Sequence, residues 1–519
     1  MLPDEVSRAK RFAQIAASIV FCFTIAGLVF GFAALKPILL DQGVYHHLCE
    51  PGQAVCKDQD TRLNMLFIVA SSANNVAALP MGGFLDIAGP RVASIVGGIL
   101  FGSGCITFSL GIVRPYIDTY LLGYILMALG APAMFLSQFH LSNAFPARSG
   151  LILGAITGAF DASSLPLCFY KVGYFAAGGK PSVKTFFICY TIIPILLIIQ
   201  QITFGPSETY ARLNTSLPID DETPVAARPA LAALQNDSTF SRLSGRSMSR
   251  RMSSSFSRVA YDIPDDADDE EAKELLEAKV KDDGIVGVMF GKPVSEQVKS
   301  SWWWAMEFMI LVHMTRINWY LTTVNTQLIY YTGAVDLADR LTDAFIFLLP
   351  LGGLLSIPLV GWLLDTRPTL DVVFVMAVLG LLFGILTLTP STVPQLIGIG
   401  MLVVFRPLFY TAISDYAAKI FGFQTFGTVY GLAMTLSGLF GLILTPLDIL
   451  TKGPLHGSFT PVNVTLLVLG VISSMTLAYK VWSFSQKRIK LVDQVIPPHP
   501  SGNSAILEED EEVEEEERE

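Results

Sequence analysis

The stretch LPMGGFLDIAGPR, Leu79 to Arg91, closes one long apolar segment, and IPLVGWLLDTRP, Ile357 to Pro368, closes another in the second half of the chain. Each places a glycine four residues before an aspartate, Gly82 with Asp86 and Gly361 with Asp365, and each has a proline upstream (Pro80, Pro358) and an arginine downstream (Arg91, Arg367). Glycine lets a neighbouring helix approach closely, and a carboxylate at a helix mouth can pair with arginine or cap the positive end of another helix. One copy reads as an ordinary turn. Two copies at matching places read as a duplicated gate, so the chain around them should be built from two related halves.

Hydropathy agrees with that reading. The chain has 519 residues, 52% of them hydrophobic and 15% charged, with a mean hydropathy of +0.52; soluble domains carry more charge and less apolar content. Windows of about 20 residues, the length that crosses a hydrocarbon core, pick out twelve segments. They lie near 15–39, 63–85, 92–113, 120–143, 149–174 and 185–204, and then near 302–331, 342–364, 371–389, 394–415, 426–450 and 461–484. Lipid offers a backbone no hydrogen-bond partner, so segments of this length should be helices. The expected fold is an all-α membrane protein of twelve transmembrane helices in two six-helix bundles, residues 1–204 and 302–484. A disordered cytosolic loop, 205–301, should join them, and an acidic disordered tail, 485–519, should follow.

Charge is distributed accordingly. The formal net charge of -10 is concentrated in DDADDEE (Asp265 to Glu271) and the terminal EEDEEVEEEERE, runs that read as solvated segments. Arg250-Arg251-Met252-Ser253 in the Ser/Arg-rich loop resembles a basic-directed kinase site, so a kinase is one candidate partner. Short loops carrying Arg91, Arg148, Arg367 and Lys419, with Arg8, Lys10, Arg11, Lys480 and Lys487 on the flanks, place both ends of the chain in the cytosol by the positive-inside rule. Of six cysteines, only Cys49 and Cys56 fall in a loop, on the opposite side, where an oxidising compartment permits a disulfide. Spacing leaves two free thiols as the alternative. The opening MLPDEVSRAKR leads into a spanning helix rather than a cleavable signal, and Asp4 with Glu5 argues against a mitochondrial presequence. Plasma membrane and vacuolar membrane are the two candidate locations.

Ionisable residues inside spanning helices mark pathways. Asp161 lies midway along helix 5 in ITGAFDASSLPL, Arg316 near the middle of helix 7, and Arg406 deep in helix 10 in VVFRPLFYTAIS. Lys36, near the outer end of helix 1, can reach the interface. Around Arg316 the stripe His313, Arg316, Tyr320, Thr323 and Gln327 recurs at helical spacing and should line a cavity. Two deep arginines face one deep aspartate, which pairs with Arg316 or Arg406, so one guanidinium is expected to await an anionic group such as a carboxylate. Gly27 and Gly31 on helix 1 form a small-residue face, for packing or for a ligand backbone. No Gly-rich phosphate loop, HExxH, paired CxxC or nucleophile elbow is present, so we expect no enzyme activity, cofactor, metal or nucleic-acid partner.

Three segments, QDTRLNMLFIVASSANNVAALPMGGFLDIAGPR, TRINWYLTTVNTQL and FRPLFYTAISDYAAKIFGFQTFGTVYGLAMTLSG, resemble the major facilitator superfamily, and within it the L-type (large neutral) amino acid transporter branch with its fungal relatives. The superfamily's inner-loop signature is met by Gly82, Asp86, Gly89 and Arg91, with Pro90 where many members have a basic residue; the second copy keeps Gly361 and Asp365. The resemblance implies sodium-independent facilitated diffusion of neutral amino acids, branched-chain or aromatic, by alternating access about a midplane site between helices 1, 4, 5, 7, 10 and 11. It implies a carboxylate on Arg316 or Arg406, Asp161 facing the ammonium or restraining an empty-site arginine, and a pocket shaped by Tyr320, Asn325, Phe409 and Tyr410. Gly82, Asp86 and Arg91 would gate the inner side. A proton-coupled carrier of another small organic anion and a nutrient-sensing receptor on the same fold are the alternatives.

Overall fold

The computed structural model describes residues 6–50, 56–114, 116–210 and 285–495. The kinase-site sequence at Arg250–Ser253 and the acidic runs of the loop and tail lie outside the described residues.

Apolar sequence becomes helix throughout. The first half comprises α1 (Arg8–Phe21 continued by Phe32–Asp41), one long rod Lys57–Leu110, α4 (Thr119–Ala144), α5 (Pro146–Ala176) and α6 (Val183–Thr203). Gly89, at φ 79 and ψ 168, breaks the rod into α2 (57–88) and α3 (90–110), a conformation open to glycine and followed by a proline suited to starting a helix. The second half comprises α7 (Ser301–Thr332), α8 (Val335–Leu355 with Ile357–Thr366), α9 (Thr369–Thr387), α10 (Thr392–Phe421), α11 (Phe426–Lys452) and α12 (Thr460–Val495). Among the described residues nine helices are long and apolar enough to cross a membrane, or ten with the bent α8 pair as one span. Dividing the rod at Gly89 and adding α7, whose polar stripe lowers its hydropathy, makes the architecture consistent with twelve crossings. One two-stranded ribbon, Val113–Arg114 with Ile117–Asp118, interrupts the all-α pattern between α3 and α4.

Two helices depart from regularity where polar groups compensate. Helix α1 passes through a π turn at Cys22–Ala26 and a 3-10 turn at Leu28–Gly31. The Tyr190 hydroxyl donates to Thr24 O at 2.7 Å and the Tyr124 hydroxyl to Val29 O at 2.7 Å. Carbonyls left without an intrahelical partner by these irregular turns are thereby satisfied. Helix α5 is likewise interrupted at Ser163 and Ser164, just past Asp161.

Glycines set how closely the halves meet. A Cβ at Gly82 on α2 would lie 1.9 Å from Gly427 O on α11, and one at Gly158 on α5 would lie 2.5 Å from Gly353 O on α8. Backbone therefore meets backbone at two pseudo-equivalent contacts between the halves, α2 with α11 and α5 with α8.

The linker expected over 205–301 is narrower than the sequence indicated, because both of its described ends fold back onto the helices. Tyr210 is fully buried, its hydroxyl donating to Gln14 Oε1 at 2.7 Å and its carbonyl accepting from Asn143 Nδ2 at 2.9 Å. At the other end Gly287 N donates to Lys419 O at 2.7 Å and Met289 N to Ile420 O at 3.0 Å. We call this side the linker face. The opposite, disulfide face carries Cys49 and Cys56, joined by a disulfide with Cα atoms 5.5 Å apart. Helix α12 continues to Val495, beyond the expected start of the tail at 485.

Candidate functional site

Asp161 and Arg406 meet across the boundary between the halves. Arg406 Nη1 lies 3.1 Å from Asp161 Oδ1, and the aspartate side chain is 1% exposed. Asp161 is therefore partnered by Arg406, not Arg316. Helix α10 also sets Tyr410 one turn beyond Arg406, with the guanidinium 5.6 Å from its ring centroid. A second link between the same helices joins the hydroxyls of Thr157 on α5 and Thr411 on α10. On the first-half side, Phe160 stacks on Phe135 of α4 at 4.7 Å and meets Phe30 of α1 at 5.9 Å. An ion pair is thus set beside aromatic faces at the middle of the spans.

Arg316 sits elsewhere. Its Nη2 donates to Gly380 O on α9 at 2.6 Å and its guanidinium lies 4.8 Å from the Phe383 ring centroid, with no ion pair among the described residues. Its polar stripe does share one helix face, but that face looks into the second half. His313 Nε2 and Ser474 Oγ of α12 are 2.9 Å apart, and Gln327 Oε1 accepts from Asn463 Nδ2, also of α12, at 2.8 Å. Helical periodicity carries no information on whether a cavity or two packed helices lie opposite. Tyr320 meets Phe345 and Phe383 edge-on, and Phe409 lies 5.5 Å from His313, so both belong to this interior cluster. Asn325 Nδ2 instead donates to Asp339 Oδ1 of α8 at 2.8 Å. The face of Gly27 and Gly31 is filled by α5: a Cβ at Gly27 would fall 2.2 Å from Ser163 Oγ, and one at Gly31 2.9 Å from Leu167 Cδ1. Those two glycines serve packing and leave no room for a ligand. Near the disulfide face, Lys36 Nζ donates to Asn64 Oδ1 at 2.9 Å.

The two aspartates of the repeated motif occupy equivalent places on the linker face. Asp86 accepts from Gly427 N at 2.8 Å, Thr428 N at 2.7 Å and Thr428 Oγ1 at 2.6 Å, the first turn of α11. Asp365 accepts from Gly150 N at 2.6 Å and Leu151 N at 3.0 Å, near the start of α5. Each carboxylate therefore caps a helix of the opposite half, where unpaired amides and the helix dipole favour negative charge. Gly361 lets α8 lie against Leu151, as Gly82 lets α2 lie against Gly427. Arg91 pairs with neither aspartate; its Nη2 donates to Gly205 O, and the Gly89 turn lies beside Ser207. Beside the Asp86 clamp a cavity of about 660 Å³ lies on the linker face, lined by Asp86, His140, Asn143, Tyr210, Lys419 and Gln424 among others.

Sequence reasoning passed over Glu307. It is fully buried on α7, and neither carboxylate oxygen has a hydrogen-bond partner among the described residues. Its place near the start of SWWWAMEFMILV suggests an interfacial position, and only the burial of Trp302, Trp303 and Met306 around it shows otherwise.

No protein-family model matches the chain. The Saccharomyces cerevisiae Protein FMP42 is 38% identical over 489 residues, covering 92% of this chain and 96% of its own length. Equilibrative nucleobase transporter 1 of Bos taurus is 21% identical over 507 residues (89% and 94% covered). Large neutral amino acids transporter small subunit 3 of Homo sapiens is 22% identical over 518 residues (88% and 90%). Among solved structures, the major facilitator proton:xylose symporter XylE bound to 6-bromo-6-deoxy-D-glucose superposes with a TM-score of 0.55 at 14% identity, over 92% of this chain and 96% of that one. The chain is a multi-pass membrane transporter with the major facilitator fold, and it belongs to one family with the yeast Protein FMP42.

Proposed function

We propose that the protein moves neutral amino acids with branched or aromatic side chains by alternating access, and that the Asp161–Arg406 pair is the binding centre. The pair carries the reading. A zwitterion reproduces its charges in reverse: the substrate carboxylate takes the Arg406 fork, and the ammonium takes Asp161. One ion pair becomes two, so the buried charges stay compensated while the halves part and re-form around the cargo. Phe30, Phe135, Phe160 and Tyr410 offer the apolar faces that a large neutral side chain needs. The named substrate of the human relative supports this choice. The named substrate of the bovine relative is a nucleobase, which has no zwitterion to exchange with the pair.

Residues 1–204 and 302–484 act as the rocking bundles in this reading, with Asp86 and Asp365 holding the linker face shut in the conformer described. Gly82, Gly361, Gly89 and Arg91 shape that closure. The linker face is cytosolic and the disulfide faces an oxidising space, outside the cell or in the vacuole. Movement is facilitated and needs no sodium.

Uptake of labelled leucine into liposomes containing the purified protein tests the proposal. Phenylalanine should compete. The amine and acid analogues, isopentylamine and 4-methylpentanoate, should compete about 100-fold less well or worse, since each leaves one member of the pair unmatched. Exchanging sodium for choline should change nothing. Folded protein without leucine uptake, or uptake blocked by adenine but not by phenylalanine, would overturn the substrate assignment.

A further inference from the structure

Glu307 is a deep carboxylate for which substrate binding and gating give no use, and its surroundings are unusual. The side chain is fully buried, and neither oxygen finds a donor among the described residues. An ionised carboxylate so placed is very costly; a neutral one is not.

Among the described residues no ion pair joins Glu307 to the neighbouring helices. On α10, Lys419 is held by Asp415 at 2.6 Å, and the Tyr416 hydroxyl donates to Trp302 O at 3.2 Å. On α12, the Lys480 ammonium lies over the Trp302 ring, 4.7 Å from its centroid, and Tyr479 is exposed. On α11, Tyr430 stacks on Phe426 and meets Phe139 edge-on. The short helix Val294–Lys299 ahead of α7 carries Glu296 and Lys299 at the linker face. Helix α8 meets α7 near the disulfide face, where Asp339 accepts from Asn325, and at that end of α11 Asp448 pairs with Lys452 at 2.7 Å. His313 and Arg316, further along α7, are engaged by Ser474 and Gly380.

Position ties this acid to the gate. Helix α11 turns Gly427, Gly431 and Gly438 towards α2, with Gly427 and Thr428 clamped by Asp86. Its opposite face meets α7, where Trp303 Nε1 donates to Val429 O at 3.3 Å. Glu307 lies one turn beyond Trp303 on the same face of α7. A single helix thus separates the acid from the surface that becomes wet when α2 leaves α11.

We propose that Glu307 is a proton-binding site linked to the linker-face gate. The carboxyl holds a proton while Asp86 clamps α11, and gives it to water on the linker face when the clamp opens. The proton returns from the same side on closing, so none crosses the membrane and movement remains facilitated. Acid on the linker face holds the gate shut; alkali favours opening. This rests on the alternating-access reading above, but not on the identity of the cargo.

Infrared difference spectroscopy of the full-length protein in lipid reads the proton directly and requires no substrate. Labelling with 13C-glutamate should shift a protonated-carboxyl band that bleaches as the pH is raised, and Glu307→Gln should remove that band. The wild-type isotope measurement stands even if the variant folds poorly. In leucine exchange at equal pH on both sides, the wild-type rate should rise with pH by up to about tenfold per unit, while Glu307→Gln stays at the acid-limit rate throughout. No pH-sensitive glutamic acid band in the wild type, or a Glu307→Gln variant whose exchange follows pH as the wild type does, would overturn the proposal. Absence of leucine exchange alone would instead count against the substrate assignment and leave the spectroscopic result to decide this one.

Discussion

Arg406 and Arg316 are both guanidinia sunk to mid-depth in the second half of the chain, yet they do different work. Arg406 reaches across to Asp161 of the first half at 3.1 Å. Arg316 turns into its own half, held by Gly380 O and the Phe383 ring. Depth made them look alike. The helix opposite each side chain distinguishes them: α5 of the other half for Arg406 and α9 of the same half for Arg316, so that in the proposed rocking cycle only the first contact would part. A buried charge between parts that separate can be exchanged for a ligand; one within a part that moves as a unit is a fixture.

Substitution should widen that contrast. Arg406→Met leaves Asp161 buried without its cation, a loss of about 3–5 kcal/mol when one partner of a buried pair is removed. Leucine uptake should fall by at least about 100-fold, with Asp161→Asn close behind. Arg316→Met should instead leave KM within about twofold and be felt as altered thermal stability. A large KM change in Arg316→Met with none in Arg406→Met would reverse the assignment.

The two gate aspartates allow a finer comparison. Asp86 accepts three hydrogen bonds from α11 and Asp365 accepts two at the start of α5. Each cap should contribute about 1 kcal/mol to the closed conformer. Asparagine at either position should shift spin-label distances across the linker face towards the open form, more for Asp86→Asn than for Asp365→Asn; equal distances in both variants and the wild type would deny the clamps a gating role. Within the Arg316 cluster, a Cβ at Gly384 would fall 2.2 Å from Arg316 Nη2. Gly384→Ala should therefore lower stability by about 1–3 kcal/mol, the usual penalty for overpacking, without altering leucine KM. Smallest of all in transport, replacing Cys49 and Cys56 by serine should leave uptake unchanged and cost about 2 kcal/mol of stability from loop closure, seen as a lower melting temperature.

The helices and the repeated Gly-x-x-x-Asp ending are legible in the sequence because both depend on local pattern. Twenty-residue apolar runs must be helical in lipid, and a Gly-x-x-x-Asp ending marks a helix mouth whichever helix it meets. The partner of each aspartate was not legible. Neither Gly427 and Thr428 nor Gly150 and Leu151 carry a side-chain charge, and a cap made by backbone amides leaves little compositional trace. The stripe on α7 shows the same limit: a helix packed against α9 and α12 and a helix lining a pathway share one periodicity. Glu307 is not legible because nearness to a helix end implies nearness to water, whereas Trp302 and Trp303 beside it are buried.

A structure of the full-length protein with leucine bound, determined in lipid nanodiscs, tests the central claim most directly. The account predicts leucine between α5 and α10, its carboxylate on Arg406, its ammonium on Asp161, and the direct contact between those two residues broken. Leucine seated against Arg316, or bound with the Asp161–Arg406 contact intact, would contradict it.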